Sequence, residues 1–501
     1  MTLDGVRAAG ARSLRLLSSG PLQIAQRLSP SALNGVGSRL SPLDVSFLQL
    51  ESPAAHMHLG WAALLTAPEG ARRPSFTELR DHIDGRLARA ARYRQKLAGV
   101  PLGINDPVWV DDQDFDIERH VRRSTSPELG DVVNAVMSQS LRRDRPLWEL
   151  WIADRLDDGH IGVVGKVHHC MVDGLAAVEL MALLLDPSPD PPPSPAEDRL
   201  PTRAPSALSL FAAGTGDRVR EGLDLAFLPF RLARSPKRVR GLPAQAARGA
   251  RAVAHAAAPA ASPTLLNGPL SPQRHLVGVR RPLEELKLIK RHFGITVNDV
   301  LLAVCAGGMR RFVKGRGETP QALKTMVPVS VRRAGDGARL GNRIAFVFVA
   351  LPCQEPDAVR RLTHIHVAMS ECKRAQESQG ADDVLDALRY APRTVRRAAS
   401  RLAASPRAFN LTVSNIPGPG VPLYMLGCRL AEAYPVVPLA EHHAVSIGMT
   451  TIEEQACFGV YADRESLPDA HLLADGIEAS IAELLELSTR TDERRRPVGV
   501  R

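Results

Sequence analysis

A chain of 501 residues, 44% of them apolar and 24% charged, is too long for one ordinary hydrophobic core and has the composition of a globular protein built as two domains of roughly 150 to 230 residues each. A formal charge of +10 admits nucleic acid, anionic lipid or a phosphorylated cosubstrate, but the basic residues are scattered without interleaved aromatics or a nucleic-acid module, so nucleic acid is set aside. No apolar run is long enough to span a bilayer, and cysteines 170, 305, 353, 372, 428 and 457 form no CxxC pair, so the chain reads as cytoplasmic, with reduced thiols and no metal centre.

Residues 1–38 mix Gly, Ser and Arg with loosely spaced leucines and read as a tail, either disordered or resting on a lipid surface. The first domain is expected over residues 39–186. Met57 to Thr66 reads as a strand. Ser75-Phe76-Thr77-Glu78 has the form of a capping box, and Phe76, Leu79, Ile83 and Leu87 continue at helical spacing to about Arg92. Val132 to Leu141 reads as a second helix, closed by the charged turn Arg142 to Arg145. Pro146 forces Arg145 into an extended conformation, and Leu147-Trp148 leads into a strand over Leu150 to Ala153. Trp148 has an ordinary reading as a buried core tryptophan.

The most informative stretch is Lys166-Val167-His168-His169-Cys170-Met171-Val172-Asp173-Gly174. It follows the apolar run Ile161 to Val167 and precedes the apolar helical stretch Leu175 to Leu185, so it reads as strand, tight turn, helix. Side chains alternate along a strand, so His168 and His169 cannot both enter one cavity while the strand persists; one works and its neighbour supports. An imidazole, titrating near neutrality, suits removal of a proton from a hydroxyl. Asp173 is placed to orient the ring or lock the turn, and Gly174 allows the left-handed backbone such turns need. Two plainer readings stand beside this one. The histidines are satisfied core residues, or His169 and Asp173 ligate a metal, although Asp-Gly argues against the uninterrupted helix a zinc pair would use.

Pro187 to Pro195 cannot be a regular helix or a central strand and marks a boundary. Residues 187–263 are expected to be a Pro/Ala/Arg-rich linker or crossover. Within it, Leu223 to Leu232 is apolar and flanked by arginines, which suits docking on an anionic lipid surface or packing on the protein. The second domain is expected over 264–489, with a basic tail at 490–501. Arg274 to Val279 reads as a strand and Leu283 to Phe293 as a helix. Thr296 caps a further helix running to Phe312, with Asp299 in its first turn. Strands follow at Lys324 to Val331, Ile344 to Leu351, Leu411 to Ser414, Ala444 to Met449 and Ala456 to Tyr461. Helices are expected from Asp357 to Gln379 and from Pro468 to Leu487. The alternation indicates a layered α/β architecture.

His168-His169-x-x-x-Asp173-Gly174 resembles the HHxxxDG signature of an acyltransferase superfamily that includes chloramphenicol acetyltransferase and peptide-synthetase condensation domains. Leu40-Ser41-Pro42-Leu43-Asp44, Glu51-Ser52-Pro53, Met57-His58, Pro146-Leu147-Trp148-Glu149, Asn298-Asp299-Val300, Pro328 to Arg332, Gly341-Asn342-Arg343 and Ser414-Asn415-Ile416-Pro417-Gly418-Pro419 narrow it. Together, from Leu40 to about Leu487, they resemble the bacterial wax ester synthase/diacylglycerol acyltransferase family.

The resemblance implies a two-lobed chloramphenicol-acetyltransferase-like α/β fold, each lobe a mixed sheet covered by helices, with an active-site tunnel between them. It implies transfer of a fatty acyl group from acyl-coenzyme A, a cosubstrate with no bound cofactor, to diacylglycerol or a long-chain alcohol. His169 is then the general base and His168 its partner. Asp173 and Gly174 support the motif, with Arg332 pairing with Asp173, and Pro146, Trp148, Asn298, Asp299, Ser414 and Asn415 lie along the tunnel. The enzyme would be cytoplasmic or peripheral on a membrane or lipid droplet. The rival expectations are a condensation-type enzyme fed by a carrier protein and a non-catalytic lipid-surface protein.

Overall fold

In the computed structural model the described residues are 38–87, 90–171, 180, 183–191, 201–226, 260–330, 344–379, 400–402 and 404–495. The first half runs β1 (Ser38–Arg39), α1 (Pro42–Leu50), β2 (His58–Thr66), α2 (Phe76–Leu87), β3 (Gln95–Ala98), β4 (Val108–Asp111), β5 (Val121–Arg123), α3 (Leu129–Met137), β6 (Trp148–Ala153) and β7 (Ile161–His168). The remainder runs α4 (Ala207–Ala226), β8 (Arg274–Pro282), α5 (Leu283–Phe293), α6 (Val297–Gly315), β9 (Leu323–Ser330), β10 (Ile344–Leu351), α7 (Ala358–Gln379), β11 (Leu411–Ile416), β12 (Tyr424–Met425), β13 (Cys428–Val436), β14 (Val445–Ile452), β15 (Gln455–Asp463) and α8 (Ala470–Arg495).

Local chemistry starts the helices. Ser41 and Asp44 form a capping box at α1 with Pro42 in the first turn, and Ser75 and Glu78 exchange the same pair of bonds at α2. The described part of α2 runs to Leu87, and Ala91–Arg94 winds separately as a 3-10 turn, so α2 does not reach the expected Arg92. α6 opens on the Thr296/Asp299 capping box and buries every residue from Asp299 to Met309. Gly308 lets it press directly on α8, since a Cβ there would meet Ile477 and the Gly476 backbone.

Twelve of the strands form two six-stranded mixed sheets, and β1, β4 and β3 form a small antiparallel sheet in that order. The first has the order β12-β13-β2-β7-β6-β5 and the second β10-β9-β11-β14-β15-β8. The architecture is therefore the expected two-lobed α/β fold. One element departs from a simple division along the chain: the hairpin β12–β13, from the C-terminal half, adds to the first sheet by pairing antiparallel with β2. Pro435 of β13 in turn packs against Gly448 of β14 and Gly459 of β15.

β8 is an edge strand of the second sheet, and its free side is covered by the other lobe. Arg274 N–H donates to Ser138 Oγ at 2.9 Å and Leu276 N–H to Asn134 Oδ1 at 3.3 Å, both acceptors lying at the C-terminal end of α3. Helix α4 occupies part of the expected linker and packs on the first lobe, Arg218 Nε donating to Ile104 O at 2.8 Å. The apolar patch Phe227 to Phe230 lies outside the described residues. All six cysteines are free, and no single helix among the described residues is long and apolar enough to cross a membrane.

Antiparallel pairing of β2 with β7 places Trp61 beside Gly165 and His58 beside His168. Gly165 has no room for a side chain, because a Cβ would run into the Trp61 indole. Gly165→Ala should therefore lower stability by about 1–3 kcal/mol, the usual cost of overpacking a core. Urea unfolding checks this, and an unchanged midpoint would contradict the packing described.

Candidate active site

β7 carries Val164, Lys166 and His168 on one face and delivers His169 just past its end. The strand is held on both sides there. His168 lies opposite His58 of β2, and its N–H donates to Leu147 O at 2.9 Å on the other side. The chain then turns, Met171 N–H returning to His168 O at 2.9 Å while Cys170 N–H donates to His168 Nδ1 at 3.1 Å. An Nδ1 that accepts leaves the proton of the neutral ring on Nε2. Nε2 faces Glu51 Oε2 at 3.7 Å. Burial, and then the Arg143 charge, push the His168 pKa down to about 3, so the ring is neutral at physiological pH.

His169 sits in different surroundings. Its N–H donates to Met57 O at 3.0 Å, and its ring stacks on Phe47 of α1 with centroids 3.7 Å apart and planes inclined by 16°. The residue keeps part of its surface open, while Nδ1 is buried without a hydrogen-bond partner among the described residues. Burial pushes its pKa down to about 4; its own main-chain carbonyl opposes that shift and His168 adds to it. Met57, which receives the His169 N–H, has φ +50°, a left-handed conformation uncommon for a side chain of this size. The two histidines therefore divide as alternation predicts, His168 enclosed and His169 partly open.

A buried cation lies on the same strand face. Lys166 donates through Nζ to Val136 O and Gln139 O, both at 2.9 Å, where α3 ends, with Glu149 Oε2 at 3.4 Å. Its charge, after burial, lowers the His58 pKa well below the ordinary value. Cys170, next to the histidines, is buried, and desolvation pushes its thiol far above the usual range, so it is not a resting thiolate. No group of three His, Cys, Asp or Glu among the described residues is placed to hold a metal ion.

The other expected site residues fall in several places. Pro146 is buried and accepts the Trp148 N–H at 2.9 Å. Trp148 is a core side chain, 1% exposed, donating its indole N–H to Tyr93 O at 2.7 Å and stacking on His120 at 4.5 Å. This stretch reaches the histidines through its backbone, at Leu147 O. Asp299 caps α6 and holds His366 Nδ1 at 2.9 Å; Asn298 beside it is half-buried. Ser414 and Asn415 lie on β11, in register with Gly448 and Met449 of β14. No hydrogen bond, ion pair or ring contact joins these four to His168 or His169 among the described residues. Asp173, Gly174 and Arg332 lie outside the described residues.

A cavity of about 1020 Å³ opens at the other end of β2, lined by Thr66, Tyr424, Leu430 and Ile452 and by the Arg429–Glu453 ion pair. At roughly 3.3 Å per strand residue it lies on the order of 25 Å from the histidines, too far to serve them directly. Besides Leu147 O and Cys170 N–H, the histidines are contacted by Phe47, Glu51 and Met57. Sequence reasoning quoted Glu51 and Met57 without a role and passed over Phe47. The available signal was the Ser41-Pro42-x-Asp44 cap, which starts a helix and places Phe47 and Glu51 one turn apart on one side.

Residues 40–301 match the wax ester synthase/diacylglycerol acyltransferase catalytic domain, and residues 340–485 match the WS/DGAT C-terminal domain. A putative diacylglycerol O-acyltransferase of Mycobacterium tuberculosis is 33% identical over 97% of this chain and 96% of its own length. The probable diacylglycerol O-acyltransferase tgs1 of the same organism is 32% identical over 92% of this chain and 98% of its own. The solved wax ester synthase/diacylglycerol acyltransferase from Marinobacter aquaeolei aligns with a TM-score of 0.66 at 26% identity, covering 90% of this chain and 100% of that one. The starter condensation domain of rhizomide synthetase aligns with a TM-score of 0.55 at 14% identity over 91% and 95% of the two chains, a likeness of fold alone. With both of its domains matched in order, the chain belongs to the wax ester synthase/diacylglycerol acyltransferase family and is an acyltransferase.

Proposed function

We propose that this acyltransferase moves a fatty acyl group from acyl-coenzyme A to the hydroxyl of diacylglycerol, and to long-chain alcohols as second acceptors, with His169 as the general base. The observation that carries the proposal is the state of the His169 ring: neutral, held flat against Phe47, Nδ1 buried, part of the residue open at a strand end. Nε2 accepts the hydroxyl proton as the alcohol oxygen attacks the thioester carbonyl. The tetrahedral intermediate then expels the coenzyme A thiolate, which takes that proton back from the imidazolium and leaves as the thiol. The step balances without a covalent enzyme intermediate, which agrees with a Cys170 thiol that burial keeps protonated.

A ring with so low a pKa is always ready to accept a proton but is a weak base. Much of the rate must then come from holding alcohol and thioester together and from stabilising the oxyanion. Asp173 with Arg332, and the tunnel residues Pro146, Trp148, Asn298, Asp299, Ser414 and Asn415, belong to this reading as supports. The observed contacts favour structural roles for Trp148 and Asp299. Lipid-borne acceptors require work at a lipid surface. The exposed Leu102, on the loop that packs against α4, and the exposed Leu208 of α4 support such contact.

His169→Ala should lower kcat by roughly 10²–10⁴-fold, the range typical of general-base removal, with the melting temperature little changed. The assay is release of free thiol from a fatty acyl-coenzyme A in the presence of diacylglycerol or hexadecanol. Turnover by the purified protein also disposes of a carrier-protein requirement, and wild-type turnover by His169→Ala would refute the proposal. The pH profile follows from the sign of the shift. The base works when unprotonated, so kcat/KM should stay flat from neutral pH downward and fall only as pH approaches about 4. A fall by half near the ordinary histidine value of about 6.5 would contradict the assignment.

A further inference from the structure

Three of the contacts that reach the histidine pair from outside β7 come from one short segment, Phe47 to Met57. Phe47 stacks on the His169 ring, Glu51 faces His168 Nε2, and Met57 O takes the His169 N–H. Glu51 also ends α1, its N–H donating to Phe47 O at 3.1 Å, so the carboxylate and the stacked phenyl ring move as one piece. The same oxygen, Glu51 Oε2, is held by Arg143.

Among the described residues His168 Nε2 is buried without a hydrogen-bond partner, and Glu51 Oε2 lies 3.7 Å from it. That separation exceeds a hydrogen bond, yet it leaves the carboxylate as the group that chooses where the imidazole proton resides. With the proton on Nε2, Nδ1 is free to accept the Cys170 N–H and so to hold the turn from which His169 projects. With the proton on Nδ1, that bond would become a donor facing a donor, and the turn would loosen. Catalytic contacts that are long in a free enzyme commonly shorten when substrate is bound.

We infer that Glu51 is a positioning residue: it holds His168 as the Nε2–H tautomer and thereby fixes the turn that presents His169 to the substrate hydroxyl. The inference rests on the proposed role of His169 and adds to it the device that aims the ring. It also gives the Glu51-Ser52-Pro53 motif a physical task, because the segment must return from the end of α1 to β2 within six residues, Glu51 to His56, preceding the left-handed Met57.

The test uses Glu51→Gln and Glu51→Ala in the full chain. Glutamine keeps an oxygen that accepts from Nε2–H, and alanine does not. Glu51→Ala should lose roughly 10- to 100-fold in kcat, the effect of a misaimed catalytic group, with KM for acyl-coenzyme A within about twofold. Glu51→Gln should recover most of that loss. Both variants should melt close to wild type, since Glu51 is partly exposed and its ion pair with Arg143 lies near the surface. Histidine-selective 15N NMR, assigned with a His168→Asn variant, reads the tautomer without any need for turnover. The Nε2–H form is expected in wild type and Glu51→Gln, and a mixture in Glu51→Ala. An unchanged tautomer in Glu51→Ala, a wild-type kcat, or a loss that glutamine fails to restore overturns the inference. If wild type shows no acyl transfer, the proposed function fails, and the tautomer readout still decides the part played by Glu51.

Discussion

The antiparallel ladder between β2 and β7 is the constraint on which the site depends. Because side chains alternate along a strand, a slip of one residue would exchange the enclosed and projecting histidines and expose the buried Lys166. Three features resist that slip. Trp61 covers the bare backbone of Gly165, Lys166 is tied to the last carbonyls of α3, and His168 N–H is fixed to Leu147 O at the start of β6. The histidine pair is thus addressed from the centre of a sheet, and only its final residue is left outside the ladder. α1 and the segment that follows it then close over that last residue.

Burial has two consequences for the chemistry. It keeps His168 and His169 neutral, as the proposed proton acceptor and its support both need, and it keeps the neighbouring Cys170 thiol protonated. The cost is basicity. A site with so weak a base, as proposed, leans on alignment, and the described contacts around His169 have that character: a stacked ring, a backbone bond and a strained Met57. The lobes meet where alignment is most exposed to disturbance. Arg274, at the start of β8, bonds both Asp463 of its own lobe and Ala54 O, in the segment beneath the histidines.

Much of this was legible in the sequence. The α5 and β10 boundaries agree with the expected Leu283–Phe293 and Ile344–Leu351, because Gly294, Pro352 and clear periodicity punctuate them. The caps at Ser75 and Thr296 were readable from two residues each. The β12–β13 hairpin was not, since nothing local in Tyr424 to Val436 announces that its partner is β2, more than 350 residues away along the chain. The short strands β3 to β5 were lost for want of a full period. Trp148 shows the limit at the site itself. A motif close to the chemistry need not touch it, and here the indole is spent on Tyr93 O while Leu147 makes the contact that matters. Asp299 likewise resolves into a helix cap that also holds His366, as its spacing from Thr296 suggested.

The account stands or falls on direct transfer between two bound substrates, with the imidazole handling a proton and no protein atom carrying the acyl group. Rapid-quench sampling with a radiolabelled fatty acyl-coenzyme A measures this most directly, first without an acceptor and then after adding diacylglycerol. The account predicts no label on the denatured protein at any time and label in triacylglycerol only once the acceptor is present. Label held by the denatured protein in amounts approaching one acyl group per chain, and released on adding the acceptor, would contradict it.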